Sequence, residues 1–400
     1  MRTSSSLRGT ASRVQACILL RGSPKRLPLA SEDMAFATRM YREAVIWRKR
    51  IDHALAGYVR QSLETLDADV LCSLRIGAVQ LLILGTPAHA AVSATVEAHS
   101  RRKTRGLVNA VLRKMASHRE KDDLPMHVRY SHPEALVGRW INRYGEGVTE
   151  KLLGWNNQPP PLGGYAFGRI PDDTLPGTFL ERYRTIERRG SFQPPEQFYI
   201  QDESAAIVGQ GMAGLPGETV LEVGAAPGGK TAHLNGTGFI ISLDKKRKRM
   251  NLWLENRERM GWEGCFPVAA DCARLPFKSK FDKVLVDAPC TNTGVYRRRY
   301  DARWNWTPKL EQGLILIQRK MLQESARAVK PGGVLVYSTC SIEPAENSEA
   351  VRHFEENNTM FERIPFPAPA SLLTSGGFLS IFPPDAGLDG LFAVSWIRKS

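Results

Sequence analysis

From about Gln201 onward the chain repeats one pattern: an apolar run, a glycine-rich turn and a helical stretch. Thr219-Val220-Leu221-Glu222-Val223, Phe239-Ile240-Ile241-Ser242-Leu243, Lys283-Val284-Leu285-Val286 and residues 333–337 read as four strands. Strands alternating with helices argue a mostly parallel sheet wrapped by helices, a Rossmann-like α/β fold. In such a sheet, ligands bind outside the carboxyl ends of the strands. Two cysteines fall there, Cys290 in Asp287-Ala288-Pro289-Cys290 and Cys340 in Thr339-Cys340-Ser341. Two thiols on one ligand-binding edge suggest covalent chemistry by one and assistance by the other. Cys17, Cys72, Cys265 and Cys272 read instead as small buried hydrophobes.

After the first strand comes Gly224-Ala225-Ala226-Pro227-Gly228-Gly229-Lys230-Thr231. Read literally, this fits the phosphate-binding pattern G-x-x-x-x-G-K-T, with Asp287 as the acid on a later strand of a P-loop NTPase. A phosphate cradle uses consecutive amide N–H groups, however, and Pro227 removes one. The preferred alternative is a turn of small residues that lets a nucleoside cofactor press on the backbone. It calls for an acid at the end of the next strand, roughly 20 residues on, to hold ribose hydroxyls. Asp244 stands there, and Asp271, after Pro267-Val268-Ala269-Ala270, is placed to accept from an adenine amino group. Together these describe an S-adenosylmethionine pocket.

The first part of the chain reads differently. Residues 10–120 look all-helical. Residues 71–84 are largely apolar and stop at Gly85-Thr86-Pro87, and Leu107, Val108, Val111, Leu112 and Met115 keep helical spacing. Residues 121–195 are mixed: Ser131-His132-Pro133 starts a helix, and residues 156–164 form a Pro/Gly-rich connection. The expected domains are therefore 10–120, 121–195 and 196–400. Residues 1–31 hold no acid, a composition shared with transit peptides, but a helix of the first domain is the preferred reading.

Three motifs carry a resemblance. Residues 225–231, Asp287-Ala288-Pro289-Cys290 and Tyr337-Ser338-Thr339-Cys340-Ser341 stand in the order and spacing of the RNA cytosine-C5 methyltransferases of the RsmB/Nop/Sun family. The run Glu343-Pro344-Ala345-Glu346-Asn347-Ser348, residues 293–298 and Asp389-Gly390-Leu391-Phe392 also resemble family segments. Residues 75–82, 89–93 and 105–113 resemble the NusB-like domain of the RsmB branch, whose members are bacterial small-subunit rRNA methyltransferases. The resemblance implies an all-α NusB-like RNA-binding domain, a small α+β linker domain and an S-adenosylmethionine-dependent catalytic domain. It implies Cys340 as the nucleophile toward cytosine C6, Cys290 as the residue that serves elimination, and Asp287 as a hydrogen-bond partner of the cytosine N3/N4 edge. Gly224, Ala225, Ala226, Pro227, Gly228, Gly229, Lys230, Asp244, Asp271 and Asp287 would line the cofactor. Lys230 would lower a cysteine pKa or fix the pocket. The chain departs from the pattern at Glu222, where Asp is usual, at Gly224, where Cys is usual, and at Asn292, where a small residue is usual.

Composition agrees with that partner. Lys+Arg 55 against Asp+Glu 41 gives a net charge of +14, which favours a polyanion such as RNA, ribosomal or transfer. Six cysteines without CxxC spacing offer neither a disulfide scaffold nor a zinc ribbon, and a cytoplasmic monomer with no metal and no membrane contact is expected. Arg297, Arg298, Arg299 and Arg303, interleaved with Tyr296, Tyr300, Trp304 and Trp306, suit phosphate contact and base stacking. The run Lys245-Lys246-Arg247-Lys248-Arg249 reads as a solvated helix face. A non-catalytic RNA-binding assembly factor remains the rival from another class.

Overall fold

The computed structural model describes residues 4–119, 123–187, 192–236, 238–278 and 280–400, with side chains from residue 10. Two compact units divide the chain, residues 1–157 and 158–400. The expected middle segment 121–195 is thus shared between them.

Among the described residues the first unit is helical: α1 (Ser4–Leu20), α2 (Ser31–Ile46), α3 (Arg48–Ala56), α4 (Ala68–Leu82), α5 (Ala88–Ala98), α6 (Arg105–Met115), α7 (Met126–Arg129), α8 (Glu134–Tyr144) and α9 (Glu146–Asn157). Asp67 caps α4 by accepting from the Asp69 amide, supplying one of the acceptors a helix start lacks. Met40, Ile51, Leu55, Leu74, Val79 and Leu112 form its core. Helix α6 buries Val108, Val111, Leu112 and Met115, as their spacing predicts. Leu107, counted with them in the sequence, is 44% exposed, because at one residue before Val108 it points about 100° away. Gly77 lets α6 approach: a Cβ there would lie 2.4 Å from Leu112 Cδ1.

The second unit opens with a small antiparallel sheet, β1 (Leu162–Ala166), β2 (Thr174–Pro176), β3 (Tyr183–Ile186) and β4 (Phe198–Ile200), in the order β2-β3-β1-β4. The Pro/Gly-rich connection of the sequence reading therefore ends inside a strand. Gly163 and Gly164 belong to that strand because Tyr183 and the Tyr199 carbonyl press on them.

There follow α10 (Glu203–Gly211), β5 (Glu218–Val223), α11 (Thr231–Leu234), β6 (Gly238–Asp244), α12 (Arg247–Met260), β7 (Cys265–Ala269) and β8 (Phe281–Asp287). The remainder is α13 (Pro308–Arg327), β9 (Val329–Thr339), α14 (Ser348–Glu356), β10 (Phe361–Ile364), β11 (Leu379–Ile381), α15 (Pro383–Ala386) and β12 (Leu391–Arg398). These strands form one sheet in the order β10-β12-β9-β8-β5-β6-β7, with β11 pairing β12. The four strands expected from sequence are β5, β6, β8 and β9. They are neighbours and parallel, whereas β12 runs antiparallel to β9 and β10. Alternate side chains face opposite cores, Val220, Leu285 and Val336 on one side and Leu221, Val284 and Leu335 on the other. Burial of each contributes about 1.5–3 kcal/mol. The strand order runs outward in opposite directions from β5 and β8, so the crevice of this sheet opens where Val223 and Asp287 end.

Candidate active site

The glycine loop leaves β5 at that crevice. Gly224 (φ +90°) donates its amide to the Leu243 carbonyl at 2.8 Å, and the Ala225 amide shares the same acceptor at 3.0 Å. A Cβ at Gly224 would lie 2.2 Å from the Asp287 carbonyl oxygen, so only glycine fits this backbone. The Cys usual at this position has no room here. Gly228 (φ +107°) is packed under Trp262 in the same way. Tyr199 Oη and Asn256 Nδ2 donate to the Pro227 carbonyl, at 3.2 and 3.0 Å, and hold the outer side of the turn.

Around this turn stand the expected acids. Asp244 closes β6, is 3% exposed, and accepts from the Lys246 amide at 2.9 Å through Oδ1. Its Oδ2 lies 3.2 Å from Arg249 Nη1 yet receives no hydrogen bond. A buried carboxylate oxygen covered only by a half-exposed arginine suits a ligand hydroxyl. Asp271 is on the surface, 3.2 Å from Lys245 Nζ, and its Oδ1 accepts from the Ala273 amide. Asp287 is ion-paired with Lys230, Nζ to Oδ2 at 2.7 Å, and accepts from Ser338 Oγ at 3.0 Å. Of the two roles foreseen for Lys230, its contact is with the acid.

The two cysteines meet. Cys340 follows β9 directly, Cys290 lies three residues past β8, and their sulfurs are 3.2 Å apart. Cys290 is 7% exposed and Cys340 is half-buried; all six cysteines are free thiols. The hydrogen bond with Cys340, and then burial, push the Cys290 thiol well above its ordinary value, so Cys290 holds its proton.

A buried polar frame holds both thiols. Glu346, fully buried, accepts from the Thr291 amide at 3.0 Å, from Thr291 Oγ1 at 2.5 Å and from Gln318 Nε2 at 2.9 Å. Burial raises its carboxyl above the ordinary value. Gln318 also donates to the Pro289 carbonyl, 2.8 Å, and Asn347 Nδ2 to the Ser341 carbonyl, 2.8 Å. The loop after Cys290 is anchored by Gly294, whose amide donates to the Cys340 carbonyl at 3.0 Å. Sequence reading quoted Glu346 and Asn347 only as part of a resemblance and gave them no task. Their signal was an acid and an amide directly after a strand-end cysteine, where a solvated loop would not need them.

The arginine and aromatic cluster is where the structure corrects the sequence. Tyr296 and Arg303 are fully buried and Trp306 is 6% exposed; burial lowers the Arg303 guanidinium to about 9. Arg298 bridges Asp202 and Asp389, each at 2.6 Å, and donates to the Pro161 carbonyl at 2.9 Å. These side chains build the fold under the cysteine loop. Of the four arginines only Arg299 is exposed. The run 245–249 does face solvent, as expected, although Lys245 and Arg249 lean on Asp271 and Asp244.

Comparison with known proteins agrees with this geometry. Residues 211–397 match the family model of 16S rRNA methyltransferase RsmB/F, and residues 9–117 match the NusB family. The ribosomal RNA small subunit methyltransferase B of Thermus thermophilus is 31% identical over 94% of this chain and 92% of its own. The chain belongs to the RsmB family. The protein of the same name from Pasteurella multocida is 30% identical over 92% of this chain and 87% of its own. Among solved structures, PH0851 superposes with a TM-score of 0.84 at 20% identity, covering 97% of this chain and 98% of that one. A methyltransferase homolog from Pyrococcus horikoshii gives 0.59 at 23% identity, over 68% and 97%. This RsmB-family chain therefore has a NusB-like helical region and a Rossmann-like methyltransferase fold. The P-loop NTPase reading falls with that membership. Its lysine is committed to Asp287, and Pro227 has no amide proton to offer a phosphate. Among the described residues no helix is long and apolar enough to cross a membrane, and no metal-binding cluster is formed.

One departure of this RsmB chain has a measurable consequence. Glu222 is 1% exposed and accepts from Thr231 Oγ1 at 2.5 Å and Ser242 Oγ at 3.0 Å. Burial, opposed by those two hydrogen bonds, raises its carboxyl from 4.5 to about 7. Between those values the folded chain binds a proton that the unfolded chain does not. This stabilisation is complete below pH 4.5 and is lost as pH rises to about 7, at about 1.4 kcal/mol per pH unit for one proton. In denaturant titrations from pH 5 to 8, Glu222→Gln is expected to flatten this decline. An unchanged slope would exclude Glu222 as its source.

Proposed function

We propose that the protein transfers methyl groups from S-adenosylmethionine to C5 of a cytosine in small-subunit ribosomal RNA, through a Cys340–C6 adduct. The observation that carries this reading is the 3.2 Å approach of the two sulfurs at adjacent strand ends, beside the Lys230–Asp287 pair. When bound, S-adenosylmethionine supplies an electrophilic methyl group on sulfonium. The turn at residues 224–230 takes its backbone side, Asp244 its ribose hydroxyls, and Asp271 its adenine amino group. The Asp244 Oδ2, ion-paired with Arg249 but receiving no hydrogen bond, and the two positive-φ glycines fit such a group.

C5 of cytosine is a weak nucleophile. Addition of the Cys340 sulfur to C6 drives electron density to C5, which then takes the methyl group. Asp287, an acceptor while paired with Lys230, receives the exocyclic N4–H, and the adjacent ammonium favours the density gained at the N3 edge. Once Cys340 is bonded to C6, its hydrogen bond no longer holds the proton on Cys290. The proton that Cys340 loses on addition goes to solvent, Cys290 gives up its own proton to water, and as thiolate it then takes the C5 proton directly or through water. The C5–H electron pair re-forms the C5–C6 double bond, and the C6–S bond breaks to regenerate Cys340. A base in a duplex is out of reach of these sulfurs, so the target is a loop or a flipped base. The NusB-like helices add RNA-binding surface, with residues 10–120, 121–195 and 196–400 as binding, connecting and catalytic regions.

The test is incubation with methyl-labelled S-adenosylmethionine and unmodified small-subunit rRNA, followed by nucleoside analysis. Labelled 5-methylcytidine from the native chain, absent with Cys340→Ala, is the expected result. Label in transfer RNA alone would replace the substrate. Cofactor binding without label in either RNA would favour a binding or assembly role.

A further inference from the structure

The Cys290 and Cys340 sulfurs are both free thiols and stand 3.2 Å apart, a separation at which reacting atoms are already within attack range. Buried hydrogen bonds fix the loops that carry them. Glu346 holds the Thr291 amide next to Cys290, and its neighbour Asn347 holds the Ser341 carbonyl next to Cys340. Asn292 spans the pair: its Nδ2 donates to the Cys290 carbonyl at 2.8 Å, and its Oδ1 lies 3.4 Å from Cys340 Sγ. The two sulfurs differ in access, Cys340 being half-buried and Cys290 7% exposed. A small oxidant therefore meets Cys340 first. Closing the gap to the roughly 2.05 Å of a disulfide bond asks for a sulfur displacement on the order of 1 Å.

We propose that Cys340 and Cys290 form a reversible oxidation site for hydroperoxides, with Cys290 as the resolving thiol. The Cys340 sulfur attacks the outer oxygen of the hydroperoxide. The S–O bond forms, the O–O bond breaks, and the thiol proton leaves with the alcohol or water, so that Cys340 becomes a sulfenic acid. The Cys290 sulfur then attacks Cys340 Sγ. The S–S bond forms, the S–O bond breaks, and the Cys290 proton departs with the hydroxyl as water. The two thiols lose two electrons together, and one hydroperoxide is reduced. Another intramolecular exit, a bond from the sulfenic sulfur to the next backbone nitrogen, is disfavoured, because the buried Ser341 amide donates to Thr339 Oγ1 at 3.3 Å. The disulfide occupies the sulfur that the proposed reaction needs at C6, so methyl transfer stops until a dithiol reductant restores both thiols. That consequence rests on the catalytic reading of the cysteines; the oxidation itself does not.

The experiment treats the full chain with hydrogen peroxide, alkylates the remaining thiols and maps the peptides by mass spectrometry, before and after dithiothreitol. The native chain is expected to yield a Cys290–Cys340 crosslink, lighter by two hydrogens than the reduced pair, which dithiothreitol abolishes. Loss of methyl transfer should follow the crosslink and reverse with it. Cys290→Ser keeps the side-chain shape and removes the resolving sulfur. Its Cys340 is expected to pass to sulfinic and sulfonic acid about tenfold faster than in the native chain, beyond recovery by dithiothreitol. A native chain whose Cys340 reaches sulfinic acid as fast as in Cys290→Ser, with no crosslink, would overturn the proposal. So would a Cys340 that stays a thiol throughout. The mass readout uses no RNA and no methyl donor. A native chain that crosslinks but transfers no label therefore faults the methyl-transfer reading and not this one.

Discussion

RNA incubated with Cys290→Ala protein and S-adenosylmethionine is expected to remain covalently attached to the protein. It should migrate as a slow band on a denaturing gel and carry one labelled methyl group per adduct. In the proposed mechanism addition by Cys340 and methylation at C5 need nothing from Cys290, whereas elimination does: Cys290 Sγ, 3.2 Å from the proposed nucleophile's sulfur, is the thiol beside it. Loss of a positioned proton acceptor slows a step by about 10²–10⁴-fold, enough for the adduct to accumulate within one turnover. Cys340→Ala should give neither adduct nor product, and the double variant should match it. Normal turnover by Cys290→Ala, with no slow band, would end the division of labour between the two thiols.

The second large effect concerns stability. Arg298 is the shared cation of Asp202 and Asp389, whose side chains are 10% and 3% exposed. Burial, and then the neighbouring Asp202, raise the Asp389 carboxyl to about 7 even with Arg298 in place. Arg298→Met would leave two buried carboxyl groups facing each other. Removing one partner of such a group costs about 3–5 kcal/mol. In a chain of this size that lowers Tm by about 5 °C. The sign with pH follows: a carboxyl raised in the folded state favours folding while protonated, so part of the loss should return below pH 6 and none above pH 8. Asp389→Asn in the Arg298→Met background should recover part of it at all pH values. A melting curve for Arg298→Met that overlays the native one would show that the bridge contributes nothing.

That bridge also marks where sequence reading stops. The strands were legible because β5, β6, β8 and β9 are covered on both faces and read as largely apolar runs. The meeting of Cys290 and Cys340 was legible because strand ends of a parallel sheet share one edge. Neither inference needs a distant partner. Arg298 does: its acids lie 96 residues before it and 91 after it, and a local window sees only a positive charge among aromatics. The same holds for Tyr296 and Arg303, which the sequence presents as a nucleic-acid surface and the fold packs inside. The strands β10 and β11 are short, four and three residues, and offer no run to read; β12 is eight residues and largely apolar, and went unread; all three are placed by pairing with β9 and with each other. Asn292 was visible only as a departure, since one of the two cysteines it touches is 48 residues away.

Gly294 and Gly390 touch backbone to backbone. The Gly390 amide donates to the Gly294 carbonyl at 2.8 Å, and a Cβ on either would lie within 2.8 Å of the other's main-chain atoms. Neither position therefore has a smaller residue to retreat to, and no substitution at one can make room for a side chain at the other. The two positions therefore work as one joint: a side chain added at either forces the other's backbone, and the cysteine loop it carries, to move away.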